Sequence, residues 1–204
     1  DRVNTIKNHV KQIPVLEQFR KNARIFVIGS SWPEDMEVMA AFINQNEKNI
    51  KFIIAPHEVY EMAIKNLEKQ IDKKVIRFSK ANETNIAEHN VLIIDNVGML
   101  SSLYHYGDYA FVGGGFGKGL HNILEPATFG LPVFFGNKNY TKFREARELV
   151  QLGGAYSISD YHDLKQKFSN LNLDIASTTA SSYVQGNTGA TKKIMDMSYK
   201  YLHT

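Results

Sequence analysis

The sequence predicts an α/β protein built on a Rossmann-like, doubly wound parallel sheet of about six strands. Short apolar runs alternate with longer segments of helical periodicity, and small or polar residues follow most of the apolar runs. Strands that are apolar along their whole length are typical of parallel sheets covered by helices on both faces. Because crossovers between parallel strands are almost always right-handed, a doubly wound sheet is the expected topology.

The predicted elements follow one another in a regular order within one domain spanning 1–204. The predicted strands are residues 24–28, 51–54, 75–78, 91–94, 109–112 and 132–135. Helices are predicted over about 33–45 and 58–71, and the chain is helical in pattern from about residue 160 onward. We expect residues 1–22 to form a linker or leading helix and about 187–204 a closing helix, with Gly186 and Gly189 at the break before it.

The composition excludes several classes of function. The chain has no cysteine, so disulfides, cysteine-based zinc sites and thiol nucleophiles are ruled out. The net charge is +3 over 204 residues and the charges are scattered, which argues against nucleic-acid binding. No His, Asp or Glu set has metal-ligand spacing, so we expect no metal. No apolar run reaches the ~18 residues of a membrane span, so we expect a soluble domain in the cytoplasm.

Small and polar residues collect where the predicted strands end. Gly29-Ser30-Ser31 follows the first strand, Pro56-His57 the second, Asp95-Asn96 the fourth and Gly136-Asn137 the sixth. In open α/β sheets, ligands bind outside the carboxyl ends of the strands, where helix N-termini present free N–H groups. The alternative is that these are ordinary turn residues.

A glycine-rich loop after the fifth strand is the strongest indication of a ligand site. Five glycines lie within seven positions, at residues 113, 114, 115, 117 and 119. Glycine loses more backbone entropy on folding than other residues, so the run requires a reason. Close approach of main-chain N–H groups to a phosphate or sugar is the usual one. The spacing matches neither the Walker A motif nor a GxGxxG fingerprint.

Two polar pairs after strands allow both a structural and a functional interpretation. Asn122 and Glu125 have the spacing of a helix capping box, yet a carboxylate at a helix start is equally suited to bind a ribose diol. Ser31 and Glu34 have the same spacing, while Ser30 and Ser31 also suit a phosphate.

Isolated basic side chains leave the same alternatives open. His57 and His121 are candidates for phosphate or sugar contacts, or structural hydrogen-bonding residues. Lys138 and Lys142 are either solvated or close to an anionic ligand.

Motifs distributed over the whole chain resemble one known family. The glycine-rich loop runs into His121-Asn122-Ile123-Leu124-Glu125-Pro126-Ala127, and further motifs lie at Asp1-Arg2-Val3, 29–35, 95–100, Asn139-Tyr140, Glu145-Ala146 and 187–191. In order and spacing they resemble bacterial 3-deoxy-D-manno-octulosonic acid (Kdo) transferases. These are GT-B glycosyltransferases, and the resemblance is to their C-terminal, CMP-Kdo-binding half.

The resemblance implies a donor-binding role for the predicted site residues. Gly114, Gly115, Gly117 and Gly119 would face the phosphate and sugar carboxylate of CMP-Kdo, with Ser30, Ser31, His57 and His121 nearby. Asn122 and Glu125 would hold the ribose, and Gly98 and Met99 would line the cytosine site through their backbone. Two departures stand out: Met99 replaces the family's usual Glu, and no arginine precedes His57.

The resemblance further implies a partner domain that this chain lacks. The family's general base and lipid-binding surface lie in an N-terminal acceptor domain, so we expect no catalytic residue here. The whole enzyme would transfer Kdo to a lipid A precursor, for lipopolysaccharide, at the cytoplasmic face of the bacterial inner membrane. This chain alone is expected to bind CMP weakly and transfer nothing. Alternatives are another GT-B UDP-sugar glycosyltransferase or epimerase, or a non-catalytic nucleotide-binding domain.

Overall fold

A computed structural model describes residues 1–202, and positions 203–204 of the predicted closing helix lie outside the described residues. Seven parallel strands form one sheet in the order β3-β4-β2-β1-β5-β6-β7. The strands are β1 Arg24–Ser31, β2 Ile50–Pro56, β3 Val75–Arg77, β4 Val91–Ile93, β5 Tyr109–Val112, β6 Val133–Gly136 and β7 Ala155–Ile158. The predicted doubly wound parallel sheet is therefore confirmed, with one strand more than expected.

Helices connect the strands and flank the sheet. They are α1 Arg2–Asn8, α2 Pro14–Arg20, α3 Pro33–Asn44, α4 Glu61–Glu68, α5 Leu100–Tyr104, α6 Leu124–Thr128, α7 Arg144–Leu152, α8 Tyr161–Ser169, α9 Leu173–Gly186 and α10 Ala190–Leu202. Between residues 1 and 202, no helix is both long and apolar enough to cross a lipid bilayer.

Successive side chains of the central strand β1 point to opposite faces of the sheet and pack against different helices. Phe26 and Ile28 of β1 pack with α3, α4 and α8, whereas Ile25 and Val27 pack with α2 and α5. A third apolar cluster joins α1, α6, α7 and α9 to β5, β6 and β7. Because successive residues of a strand point to opposite faces, a continuous apolar run is required where both faces are covered.

Aromatic rings fill the layer between the sheet and helices α3 and α8. Phe26 lies 5.7–5.9 Å, centroid to centroid, from the rings of Phe52, Tyr109, Phe134 and others. Phe168 of α8 meets Phe42 of α3 at 5.1 Å with nearly perpendicular rings. Edge-to-face and offset rings are the favoured aromatic arrangements, so this layer gives the strand ends a rigid support.

Candidate functional site

The sheet reverses its direction of growth between β1 and β5, and the candidate site lies there. After β1 the chain adds strands on one side, and from β5 onward it adds them on the other. In such sheets the crevice beside the reversal, at the carboxyl ends of the strands, is the usual ligand site. The two strand ends meet directly, since the Gly113 amide donates to the Gly29 carbonyl at 2.9 Å.

The first half of the glycine-rich loop is packed against neighbouring strand ends. A Cβ atom on Gly113 would lie 2.2 Å from the carbonyl oxygen of Ser30, and one on Gly115 would lie 2.5 Å from that of Gly136. Gly114 has φ +86°, and its amide donates to the buried carboxylate of Asp35 at 2.8 Å. The expectation that the Gly114 amide faces a phosphate is therefore wrong, because Asp35 already occupies it.

The second half of the loop is open. A Cβ on Gly119 would meet no atom within 4 Å, and one on Gly117 would only approach the carboxylate of Glu34 at 4.0 Å. Lys118 between them is exposed, and its ammonium lies 5.5 Å from the centroid of the Trp32 ring. This part of the loop has the space to meet a ligand and carries a cation.

Asp35 joins the start of α3 to the glycine-rich loop. Its side chain is fully buried, and Oδ2 accepts from the amides of both Trp32 and Gly114 at 2.8 Å. Burial raises the pKa of this carboxyl above its ordinary value, while the backbone hydrogen bonds act in the opposite direction. The predicted capping box of Ser31 with Glu34 is wrong by one residue, since α3 begins at Pro33 and Asp35 binds the Trp32 amide.

Three rings from three segments form a stacked group beside the loop. The His57 ring stacks on Trp32 at 3.9 Å between centroids, and His121 lies 5.1 Å from His57. Trp32 Nε1 donates to His121 Nε2 at 3.2 Å. Burial and the nearby His57 lower the pKa of His121. A neutral His121 that accepts at Nε2 carries its proton on Nδ1, where it can donate to a ligand.

A small cavity of about 110 Å³ brings several predicted residues together. It lies at the carboxyl end of β1, next to the point where the sheet reverses its direction of growth. Its lining residues come from β1, α5, β5, the segment leading into α6 and the first turn of α6: Ser30, Leu100, Tyr104, Val112, His121, Asn122 and Glu125. Four of them, Ser30, His121, Asn122 and Glu125, were predicted from sequence.

The Glu125 carboxylate is held between two side chains at this cavity. Oε1 accepts from Asn122 Nδ2 and Oε2 from Ser101 Oγ, both at 3.3 Å. Asn122 Oδ1 accepts from the Leu124 amide at 3.0 Å. The capping-box interpretation of this pair is wrong, because Glu125 binds the side chain of Asn122 and not its backbone amide. Both hydrogen bonds to the carboxylate are long, so a ligand donor that approaches more closely can replace them.

The two serines at the end of β1 have different environments. Ser30 has φ +52°, in the left-handed region, at an irregularity in the β1–β2 register. Such a conformation is uncommon outside glycine and is concentrated at functional sites. Ser31 is buried and lines a separate pocket of about 200 Å³ with Trp32 and Pro56. Only Ser30 reaches the cavity that contains Glu125.

Gly98 and Met99 form the turn that leads into α5. Gly98 is exposed with φ +87°, and Met99 is the N-cap residue of α5, partly packed on the apolar cluster below. The next residue, Leu100, lines the cavity, so the turn lies at its rim. Within the part of the chain that the structure describes, no three His, Asp or Glu side chains converge as metal ligands would.

The sequence-based candidates omit three side chains that the structure places at the site. Trp32 binds His121, Asp35 binds the glycine-rich loop, and Tyr104 lines the cavity. Tyr104 is four residues after Leu100, so both lie on one face of α5. The four-residue spacing from Leu100 is the sequence signal by which Tyr104 could have been predicted as a site residue.

Sequence comparisons relate the chain to known enzymes. The chain is 32% identical over 139 residues to a 3-deoxy-D-manno-octulosonic acid transferase of Chlamydophila psittaci, covering 67% of this chain and 32% of the relative. It is 30% identical over 151 residues to the enzyme of that name from Aquifex aeolicus, covering 71% and 41%. The chain thus spans about a third of the length of the curated relatives. No protein-family model matches it.

Solved structures share the fold over nearly the whole chain. The C-terminal CMP-Kdo binding domain of WaaA from Acinetobacter baumannii matches with a TM-score of 0.70 and 18% identity, over 90% of this chain and 97% of that one. MnaA of S. aureus, solved with UDP, matches with a TM-score of 0.65 and 13% identity, over 98% and 52%. These likenesses establish the fold, and they agree with the predicted Rossmann-like parallel sheet.

Proposed function

Because this chain is a homologue of the 3-deoxy-D-manno-octulosonic acid (Kdo) transferases, we propose that it is the donor-binding domain of such an enzyme, with CMP-Kdo as its donor. One observation carries the proposal. Ser30 at the end of β1 lines a single cavity at the reversal of the sheet together with His121, Asn122 and Glu125, which follow the glycine-rich loop about 90 residues later. Nucleotide ligands of doubly wound folds bind at this position.

The ribose and the base are assigned to the cavity and its rim. Glu125, held by Asn122 and Ser101, accepts hydrogen bonds from the ribose diol. The backbone of Gly98 and Met99, at the rim, lines the cytosine site. This backbone contact does not require the glutamate that the family usually has at position 99.

The phosphate and the sugar are assigned to the open side of the glycine-rich loop. Gly117 and Gly119 leave space for close approach, and Lys118 supplies a positive charge. His121 donates through Nδ1, because Trp32 holds its other ring nitrogen. These donors stabilise the negative charge on the departing CMP phosphate without a bound metal.

The reaction of the whole protein is displacement of CMP by a hydroxyl group of a lipid A precursor. The acceptor oxygen forms a bond to the anomeric carbon of Kdo with inversion, the bond from that carbon to the phosphate oxygen breaks, and a general base takes the hydroxyl proton. The base, the lipid contact and any approach to the inner membrane are assigned to the part of the relatives that this chain does not match.

A second candidate is a domain that uses a UDP-sugar. The shared fold with MnaA, solved with UDP, over 98% of this chain is the observation in its favour. A non-catalytic nucleotide-binding domain would share the same cavity. The relative affinities for CMP and UDP distinguish the CMP-Kdo proposal from the UDP-sugar candidate.

Calorimetric titration of CMP, UMP and UDP tests the proposal. We expect CMP to bind best, and Glu125→Ala to weaken CMP binding by about 1.5–3 kcal/mol, as expected for a lost hydrogen bond to a charged group. Glu17→Gln, on the exposed side of α2, is the matched control and should leave CMP affinity unchanged. A preference for UDP would favour the second candidate, and an unchanged affinity in Glu125→Ala would remove Glu125 from the site.

A further inference from the structure

Tyr104 is a buried tyrosine whose hydroxyl group makes no hydrogen bond to the residues that the structure describes. The side chain is 1% exposed and lines the cavity that contains Glu125. Tyr106, two residues later, is buried to a similar extent, and its hydroxyl accepts from the Ile13 amide at 2.7 Å. Among the described residues, no such partner exists for the Tyr104 hydroxyl. A tyrosine hydroxyl that lines a cavity and makes no hydrogen bond to the described residues is available to a ligand.

The end of β1 is shaped to admit this hydroxyl. A Cβ atom on Gly29 would lie 2.2 Å from the Tyr104 oxygen and 2.9 Å from Leu100 Cδ1. Any other residue at position 29 would push the tyrosine ring out of its position. The absence of a side chain at Gly29 leaves the space in which the hydroxyl lies, beside the cavity that Ser30 also lines.

The hydroxyl and Glu125 offer complementary hydrogen-bonding groups to one ligand. Burial, together with the negative charge of Glu125, raises the pKa of Tyr104, so the phenol stays protonated and can donate. An ionised Glu125 can only accept. The cavity of about 110 Å³ is far below the ~300–1,000 Å³ of sites for drug-sized ligands, so it suits one ring of a nucleotide.

We propose that the Tyr104 hydroxyl donates a hydrogen bond to an oxygen of the ribose diol while Glu125 accepts from that diol. The cavity then selects ribonucleotides over their deoxy counterparts. This inference rests on the proposed function, since it assigns the nucleotide's ribose to this cavity. A ring with adjacent hydroxyl groups is the part of a nucleotide that can satisfy a donor and an acceptor together.

Titration of the 204-residue chain with CMP, 2′-deoxy-CMP and 3′-deoxy-CMP tests the inference. We expect Tyr104→Phe to weaken CMP binding by about fivefold to tenfold, the effect of one hydrogen bond. Tyr104→Phe should cause no loss of affinity for the deoxy analogue that lacks the ribose oxygen bound by the Tyr104 hydroxyl. The melting temperature without ligand should not fall, because the hydroxyl makes no hydrogen bond to the described part of the chain that the substitution could remove.

Tyr106→Phe is the matched control. It removes a hydroxyl that is bonded to the Ile13 amide, so it should lower the melting temperature and leave the CMP to deoxy-CMP preference intact. An equal loss for all three nucleotides in Tyr104→Phe, or no loss for any, would overturn the inference alone. Failure of the unsubstituted chain to bind CMP would overturn the proposed function and the inference together.

Discussion

At the scale of single residues, His121 shows how one hydrogen bond determines which nitrogen of an imidazole can meet a ligand. Its Nε2 accepts from the Trp32 indole, so this nitrogen must be unprotonated. The lowered pKa of His121 extends that neutral form to lower pH. The sequence suggested a histidine contact at this position, whereas the proton on Nδ1 follows from the structure.

Burial and the nearby His57 lower the pKa of His121, and Trp32→Phe should raise it by removing the indole N–H that binds the neutral ring at Nε2. Phenylalanine keeps an aromatic ring beside His57 and removes the indole N–H, so a proton on Nε2 no longer displaces a hydrogen bond. The change is measured by NMR titration of the His121 ring. His105, which packs against Tyr106 and Phe129, is the internal reference. An unchanged or lower His121 pKa in Trp32→Phe would show that the indole does not control its protonation.

The lowered pKa of His121 also determines how the free energy of unfolding changes with pH. Near the ordinary pKa of 6.5, the folded chain binds fewer protons at His121 than the unfolded chain. The contribution of this residue to the free energy of unfolding is therefore complete above that pH. It is lost as the pH falls through the lowered folded-state pKa.

At the scale of elements, the glycine-rich loop combines a packed half and an open half. Gly115→Ala would place a Cβ 2.5 Å from the Gly136 backbone, so we expect it to lower the free energy of unfolding by about 1–3 kcal/mol. Gly117→Ala meets open space and should leave stability within about 1 kcal/mol of the starting chain. Denaturant unfolding measures both, and equal losses would contradict the division of the loop.

The core strands could be predicted from sequence because each is a continuous apolar run. β7, Ala155–Ile158, was missed because it is an edge strand whose middle residues, Tyr156 and Ser157, are only partly buried. The helix after β2 was predicted over 58–71, but α4 spans Glu61–Glu68. Apolar periodicity continues past the helix ends, since Ile71 is buried by tertiary packing outside the helix.

The location of the site residues could be predicted from sequence where it follows from the position of the strand ends. The hydrogen bonds and contacts between their side chains could not. Ser30 and Glu125 meet because the carboxyl ends of parallel strands lie at one edge of the sheet. The use of the Gly114 amide by Asp35, and the space that Gly29 leaves for Tyr104, depend on three-dimensional packing. No spacing rule along the chain gives such contacts.

At the scale of the whole molecule, the first residue and the last described helix are joined by one carboxylate. Asp1 Oδ1 accepts from the Gly189 amide at 2.7 Å, and Oδ2 accepts from the amide and hydroxyl of Thr191 at 2.8 and 2.7 Å. Asp1 thus acts as an N-terminal cap for α10, although it precedes α1 in sequence. Nearby, Lys7 of α1 donates to the Thr128 carbonyl at the end of α6.

Asp1→Ala should release the start of α10 and leave the sheet unaffected. The substitution removes the acceptor for two backbone amides and a negative charge favoured by the helix dipole, a loss of about 0.5–2 kcal/mol. Hydrogen exchange in a peptide covering α10 should accelerate, while peptides from β1 and β5 keep their rates. Asp174→Ala, in the first turn of α9, is the control, because its carboxylate accepts no hydrogen bond from the described residues. Faster exchange throughout the sheet in Asp1→Ala would mean that this contact supports the whole fold and not α10 alone.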